Sequence, residues 1–173
     1  MTVAVFTVAA MVGLMLAEAR LSARHERALA ARGAVAPVEP GFPLMAASYP
    51  ACFLAMGAEG ALRLAGPTPV FVAGALMFAA GKALKYWAIA ALGERWTFKV
   101  HVLPGVPLVR SGPYRYVAHP NYLGVIGELV GAAMMLDARI SGPPAVLVFS
   151  IVLWRRIRFE ERALDVGREL RQD

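Results

Sequence analysis

The stretch from Leu108 to Leu123, LVRSGPYRYVAHPNYL, gathers three tyrosines, a histidine, an asparagine and two prolines in a chain that is 58% hydrophobic. Ser-Gly-Pro-Tyr is a turn signal, with Gly112 permissive and Pro113 fixing φ. Pro120 suits the first turn of a helix, where its missing N–H costs nothing. Free amide groups and a positive helix end then lie near His119 and Asn121, a natural place for a carboxylate. We read Tyr114, His119 and Tyr122 as site groups and Tyr116 as a tyrosine at lipid-headgroup depth. A second polar segment, WRRIRFEERAL from Trp154, puts Arg156 and Glu160 on one helical face and Arg158 with Arg162 on another. Lys82, Lys85 and Glu128 interrupt apolar runs, and intramembrane charges are functional candidates. Lys85 and Glu128 fall roughly 10 Å from the ends of their runs, a matched depth that permits an ion pair. His25, His101 and His119 have no metal-like spacing, and the P-loop, Rossmann, zincin and serine-elbow patterns are missing. Metal chemistry and serine hydrolysis are therefore not expected.

The elements that must position these groups follow from composition. Mean hydropathy is +0.56, and 17% of the 173 residues are charged, against roughly 25% in soluble domains. The charges concentrate in Arg20 to Arg32, Glu94 to Arg115 and Arg155 to Asp173. Between them lie five apolar runs approaching the ~20 residues that cross a bilayer: Thr2 to Ala17, Phe42 to Leu62, Pro69 to Leu92, Tyr122 to Ala138 and Pro143 to Ile157. The expected fold is all-α, an integral membrane bundle of about five transmembrane helices. Arginine-rich loops alternate with weakly charged ones, which predicts the N-terminus outside and the C-terminus in the cytoplasm. Both polar segments then face the cytoplasm across an inner membrane. Leu21 to Ala31 is expected to lie along that face, with the proline-rich Gly33 to Pro43 ending it. Glu59 is expected at the outer interface. The net charge of +6 fits basic cytoplasmic loops and membrane lipids; no interleaved basic-aromatic surface points to nucleic acid. A single domain, 1–173, is expected, with three N-terminal spans in 1–92 and the chemistry in 93–173.

LVRSGPYRYVAHPNYLG, followed after one hydrophobic hairpin by RRIRFEERAL, resembles the isoprenylcysteine carboxyl methyltransferase family. EARLSARHERALAARGA is further similar to a bacterial branch associated with alkylpyrone-type lipids. The resemblance implies an all-helical membrane enzyme that uses S-adenosyl-L-methionine without a Rossmann domain. It implies that Val106, Pro107, Leu108 and Val109, with Tyr114, His119, Pro120, Asn121 and Tyr122, surround the cofactor. Glu160 would hold its amino or ribose groups, while Arg156 would face the acceptor as the catalytic residue, with Glu128 as a further acceptor contact. The chain departs from the family pattern at Ala118, where arginine is frequent, and at Val106, where histidine is frequent. Both departures remove polar contacts near the cofactor.

The implied reaction is O-methylation of a lipophilic anion, either a prenylated carboxylate or an alkylpyrone or polyketide-type enol. An oxyanion attacking a sulfonium disperses charge on both partners, which a dry pocket favours. Such an acceptor needs no general base, and an arginine can hold its oxygen by a charge-assisted hydrogen bond. The rival activity, N-methylation of phospholipid headgroups, needs an amine that an adjacent arginine would oppose. A non-catalytic protein binding anionic lipid would explain the arginines but not Tyr114, His119 and Glu160 together.

Overall fold

The computed structural model describes residues 2–103 and 106–169, with side chains through residue 163; the last residues of the charged tail, 170–173, lie outside them. Five α-helices follow one another: α1 Thr2–Ala31, α2 Phe42–Leu62, α3 Pro69–Leu92, α4 Pro120–Met135 and α5 Gly142–Glu169. Single 3-10 turns, Gly93–Arg95 and Gly112–Arg115, punctuate the long segment between α3 and α4. Among the described residues there is no strand; one isolated bridge joins Val35 to Val102. The all-helical expectation holds.

Local chemistry sets the boundaries. Thr68 caps α3, its hydroxyl accepting from the Phe71 amide at 3.1 Å, and Pro69 follows in the first turn. Pro120 opens α4 in the same way, but the capping position falls to His119, whose side chain makes no capping bond. α1 ends at Gly33, which adopts φ +77° while the Ala34 amide reaches back to the Leu29 carbonyl at 3.0 Å, a C-terminal motif that needs glycine. The sequence reading divided α1 into a span and a separate surface helix. The structure corrects this: α1 is one 30-residue helix, about 45 Å long at 1.5 Å per residue. Glu18, directly after the expected span Thr2 to Ala17, lies within this helix and is buried.

α3 and α4 pack as an antiparallel pair through glycines. A Cβ on Gly131 would meet the Phe78 amide nitrogen at 2.5 Å and the Gly74 carbonyl at 2.6 Å. Seven residues along each helix, Gly81 and Gly124 face each other in the same way. Two turns separate the pairs, so both lie on one face. Phe53, Met56, Leu129, Ala132 and Leu136 form the centre of the apolar core where α2 and α4 meet. At the end of that core Glu59 accepts the amides of Ile140 and Ser141 and the Ser141 hydroxyl, while also pairing with Arg63 at 2.8 Å. It thereby ties α2 to the turn between α4 and α5. Two helical segments, Thr2–Ala31 and Pro69–Arg95, are long and apolar enough to cross a bilayer.

Inside the bundle four charges meet. Lys82 Nζ lies 2.6 Å from Glu18 and 2.9 Å from Glu128; Lys85 Nζ lies 2.6 Å from Glu18 and 3.5 Å from Glu128. Tyr49 on α2 adds a hydroxyl donating to Glu128 at 2.7 Å. The pair expected from Lys85 and Glu128 is thus half of a balanced set drawn from α1, α3 and α4. All four side chains are at most 8% exposed, so each charge is compensated where water is excluded.

Candidate active site

A cavity of about 560 Å³ opens between the α3–α4 connection and α5, within the usual size of a small-molecule site. The connection supplies Arg95, Trp96, Lys99, Leu108, Val109, Arg110 and Tyr114; the start of α4 supplies His119, Asn121 and Tyr122; α5 supplies Arg156, Glu160 and Glu161. The two polar segments, separated by the α4–α5 hairpin, therefore wall one cavity. Val106, Pro107 and Pro120 do not line it. Val106 is exposed and Pro120 is buried, while the Pro107 carbonyl accepts from Arg95 at 2.7 Å. Glu128 lies deeper, in the lysine set.

Polar contacts fix the walls. Tyr122 donates to Glu160, while its oxygen accepts from Arg156 Nε at 3.0 Å. One turn back from Tyr122, His119 stacks on that ring with centroids 5.6 Å apart and approaches Glu161 at 3.3 Å. Tyr114 is half-buried; burial first, then the Glu160 carboxylate, push its phenol well above its usual value. It therefore stays a neutral hydrogen-bond donor through the physiological range. The Asn121 carbonyl oxygen accepts from the Trp96 indole at 3.2 Å. Trp96 is itself held from α1, where His25 Nδ1 lies 2.8 Å from its carbonyl; the next turn of α1 supplies Ser22, whose hydroxyl accepts the Phe98 amide at 2.7 Å.

Arg156 is 7% exposed. Besides Tyr122, its guanidinium donates to the Phe98 carbonyl and to the carboxylate of Glu39 in the α1–α2 connector. A smaller cavity of about 110 Å³ also has Arg156 in its wall. Met15, Phe42, Met45, Tyr49, Phe149 and Leu153 give it a mostly apolar lining, with Glu18 and Lys85 at one part of its wall. Trp96, Thr97, Asn121, Tyr122 and Arg156 line both cavities. The arrangement sets a cavity lined by groups of both charges and a mostly apolar one against the same arginine.

Sequence reasoning did not single out Trp96, Glu39, Glu18 or Tyr49. Glu39 and Arg156 are separated by 117 positions, and no local spacing announces such a pair. Trp96 carried a weak signal, as a tryptophan four positions after the end of an apolar run.

A model of the isoprenylcysteine carboxyl methyltransferase family matches residues 74–166, a span that contains both polar segments. The chain is 30% identical to YpbQ of Bacillus subtilis, a protein without an assigned activity, over 86% of this chain and 88% of that one. It is 31% identical to a probable protein-S-isoprenylcysteine O-methyltransferase of Oryza sativa subsp. indica, over 51% of this chain and 47% of the plant protein. Protein-S-isoprenylcysteine O-methyltransferase A of Arabidopsis thaliana is 32% identical over 53% and 48%. No solved structure matches the chain. More than half of the sequence, including every wall of the larger cavity, thus falls within the matched span, and the chain belongs to the isoprenylcysteine carboxyl methyltransferase family and is a methyltransferase.

Proposed function

We propose that the chain is a membrane enzyme that uses S-adenosyl-L-methionine to methylate an oxygen of a lipophilic acceptor. The observation that carries this reading is the pair of cavities sharing Tyr122 and Arg156. The larger one suits the donor. Glu160 and the Asn121 side chain are polar partners for an ammonium or ribose hydroxyls, Arg95, Lys99 and Arg110 are cations for a carboxylate, and Leu92, Leu108 and Val109 offer apolar cover. When bound, the donor supplies a methyl group activated by a sulfonium. The smaller, apolar cavity suits the tail side of the acceptor, and Arg156 stands where its oxygen would be held.

The chain's own residues do three things in this scheme. Tyr122 orients Glu160 by donating to it, and Tyr114 adds a neutral hydroxyl to the same wall. Arg156, itself fixed on three sides, offers its remaining N–H groups to the acceptor oxygen, and alignment of this kind supplies much of the catalysis in a displacement reaction. The apolar walls keep the reacting atoms dry, so charge dispersal is not opposed by solvent.

Membrane residence is supported by the two long apolar segments and by large apolar side chains left uncovered on every helix, among them Phe6, Leu54, Leu76, Leu123 and Leu147. Patches of that extent mark contact with lipid or protein. Five crossings, with both polar segments toward the cytoplasm of an inner membrane, agree with the loop charges. An isoprenylcysteine-like carboxylate and an alkylpyrone-type enol both meet the chemical requirements of an oxygen acceptor with a lipid tail.

The test is incubation of the purified chain with methyl-labelled S-adenosyl-L-methionine and a total membrane lipid extract. Base-labile label in a lipid identifies an ester, and stable label in a neutral lipid identifies an ether. Label in a headgroup amine would overturn the oxygen-acceptor reading, and no transfer to any lipid would overturn the lipophilic acceptor.

A further inference from the structure

We propose that Ser22 of α1 is a positioning residue for methyl transfer: it fixes the Phe98 backbone, and through the Phe98 carbonyl it sets the direction in which Arg156 presents its guanidinium. The inference rests on the proposed role of Arg156 and adds a residue outside the span that the family model matches.

Glu18 and Ser22 are the polar members of the buried face of α1, among Ala4, Met11 and Leu29. Glu18 is answered by Lys82 and Lys85; Ser22, 1% exposed, answers to a loop instead. A serine inside a helix often bonds back to a carbonyl of its own helix. Here the hydroxyl donates one turn onward to Glu26 at 3.0 Å, which leaves its oxygen to accept the Phe98 amide at 2.7 Å. Phe98 lies between α3 and α4, in neither helix nor strand, so its backbone groups need partners from elsewhere. The amide goes to Ser22 and the carbonyl to Arg156. On the same face of α1, His25 Nδ1 lies 2.8 Å from the Trp96 carbonyl. α1 thus grips the backbone on both sides of Thr97, which lines both cavities.

An arginine side chain turns about several bonds, and it aims at one place only when its N–H groups are tied to fixed acceptors. Tyr122 ties Nε, Glu39 ties one Nη and the Phe98 carbonyl ties the other. Of the three, the carbonyl is the backbone acceptor, and it is only as firm as the loop that carries it. Without the Ser22 hydroxyl the Phe98 amide loses its partner, a cost the segment can relieve by turning, which carries the carbonyl away from Arg156. A small misplacement of an aligned group lowers the rate of a displacement steeply. The donor-binding side chains on α4 and α5 do not depend on this contact, so the loss falls on transfer and not on donor binding. Ser22 acts through Phe98 and Arg156 and touches neither reactant.

The experiment uses the full chain in lipid nanodiscs. Ser22→Ala removes only the hydroxyl and suits a helix interior, so the variant is expected to fold. Turnover is measured with methyl-labelled S-adenosyl-L-methionine and whichever of N-acetyl-S-farnesylcysteine and a long-chain alkyl-4-hydroxypyranone the wild type methylates faster. Ser22→Ala should lower kcat at least tenfold and leave donor Kd and acceptor KM within a few-fold of wild type; Ser22→Thr, which keeps the hydroxyl, should hold kcat near wild type. Unchanged kcat in Ser22→Ala, an equal loss in Ser22→Thr, or a fall in donor affinity in step with kcat, as general loosening of the site would give, each overturns the proposal. A second reading needs no acceptor: the Nε–H resonance of Arg156, identified by its absence in Arg156→Lys, should exchange with solvent at least tenfold faster in Ser22→Ala. An equal exchange rate overturns the proposal even where neither probe is methylated. Failure of the wild type to bind the donor would instead remove the proposed function, while the exchange rate would still decide whether Ser22 fixes Arg156.

Discussion

At the scale of single residues, Arg156 carries two duties that mutation must separate. It is proposed to hold the acceptor, and it also compensates the buried Glu39. Deleting one member of a buried pair costs about 3–5 kcal/mol because the other charge is stranded, so Arg156→Ala alone would confound folding with catalysis. The double variant Arg156→Gln with Glu39→Gln removes both charges at once. It should keep donor affinity within a few-fold of wild type and lose nearly all methyl transfer; equilibrium dialysis and labelled turnover measure the two separately. Turnover at the wild-type level would deny Arg156 its role. Tyr114, His119, Asn121, Tyr122, Arg156 and Glu160 were legible in the sequence because they sit in short motifs whose helix-start and i, i+4 geometry brings them together. Glu39 and Trp96 were not, because their positions depend on contacts made across the whole chain. Pro120 within the motif, and Val106 and Pro107 just before it, lie off the cavity wall, since nearness in sequence does not fix which way each side chain turns.

Helices set the precision of that site, above all α3 and α4. The Gly74–Gly131 and Gly81–Gly124 contacts let their backbones approach closely enough for Lys82 and Lys85 to reach Glu128 and for the start of α4 to meet the α3–α4 connection. Gly131→Leu, with its side chain forced onto the Gly74 carbonyl and the Phe78 amide, should destabilise the fold by roughly 1–3 kcal/mol or more, as overpacking does. Denaturation of the detergent-solubilised protein measures this, and unchanged stability would mean that the helices can part without cost. The lengths of the apolar runs, with Pro120 at a helix start, revealed α2, α3 and α4 to within a few residues. The length of α1 was hidden, because Glu18 reads as a span end unless its partners on α3 are known. Lys82 and Lys85 stand 64 and 67 positions away, and their charges are what permit the carboxylate to be buried. The glycines of α4 looked in sequence like ordinary helix-packing residues; their partners on α3 show the register.

For the whole molecule, the proposed design places a water-facing donor cavity beside a greasy acceptor cleft, with one arginine between them held by contacts from several parts of the chain. α1 holds Trp96 and Phe98, the connector after it holds Arg156, α4 carries Tyr122, and α5 carries Arg156 with Glu160. The N-terminal half, from which the cofactor-binding residues were not expected to come, thus supplies contacts that shape the site. The claim on which the rest depends is that the segment around Tyr114 to Tyr122 and the segment around Arg156 to Glu160 form one donor site. Equilibrium binding of labelled S-adenosyl-L-methionine to the purified chain tests this most directly. The account predicts saturable binding that weakens at least tenfold in Asn121→Ala and, independently, in Glu160→Gln, although the two residues lie on different helices. Absence of saturable binding by the folded wild type, or loss on substitution in only one of the two segments, would contradict it.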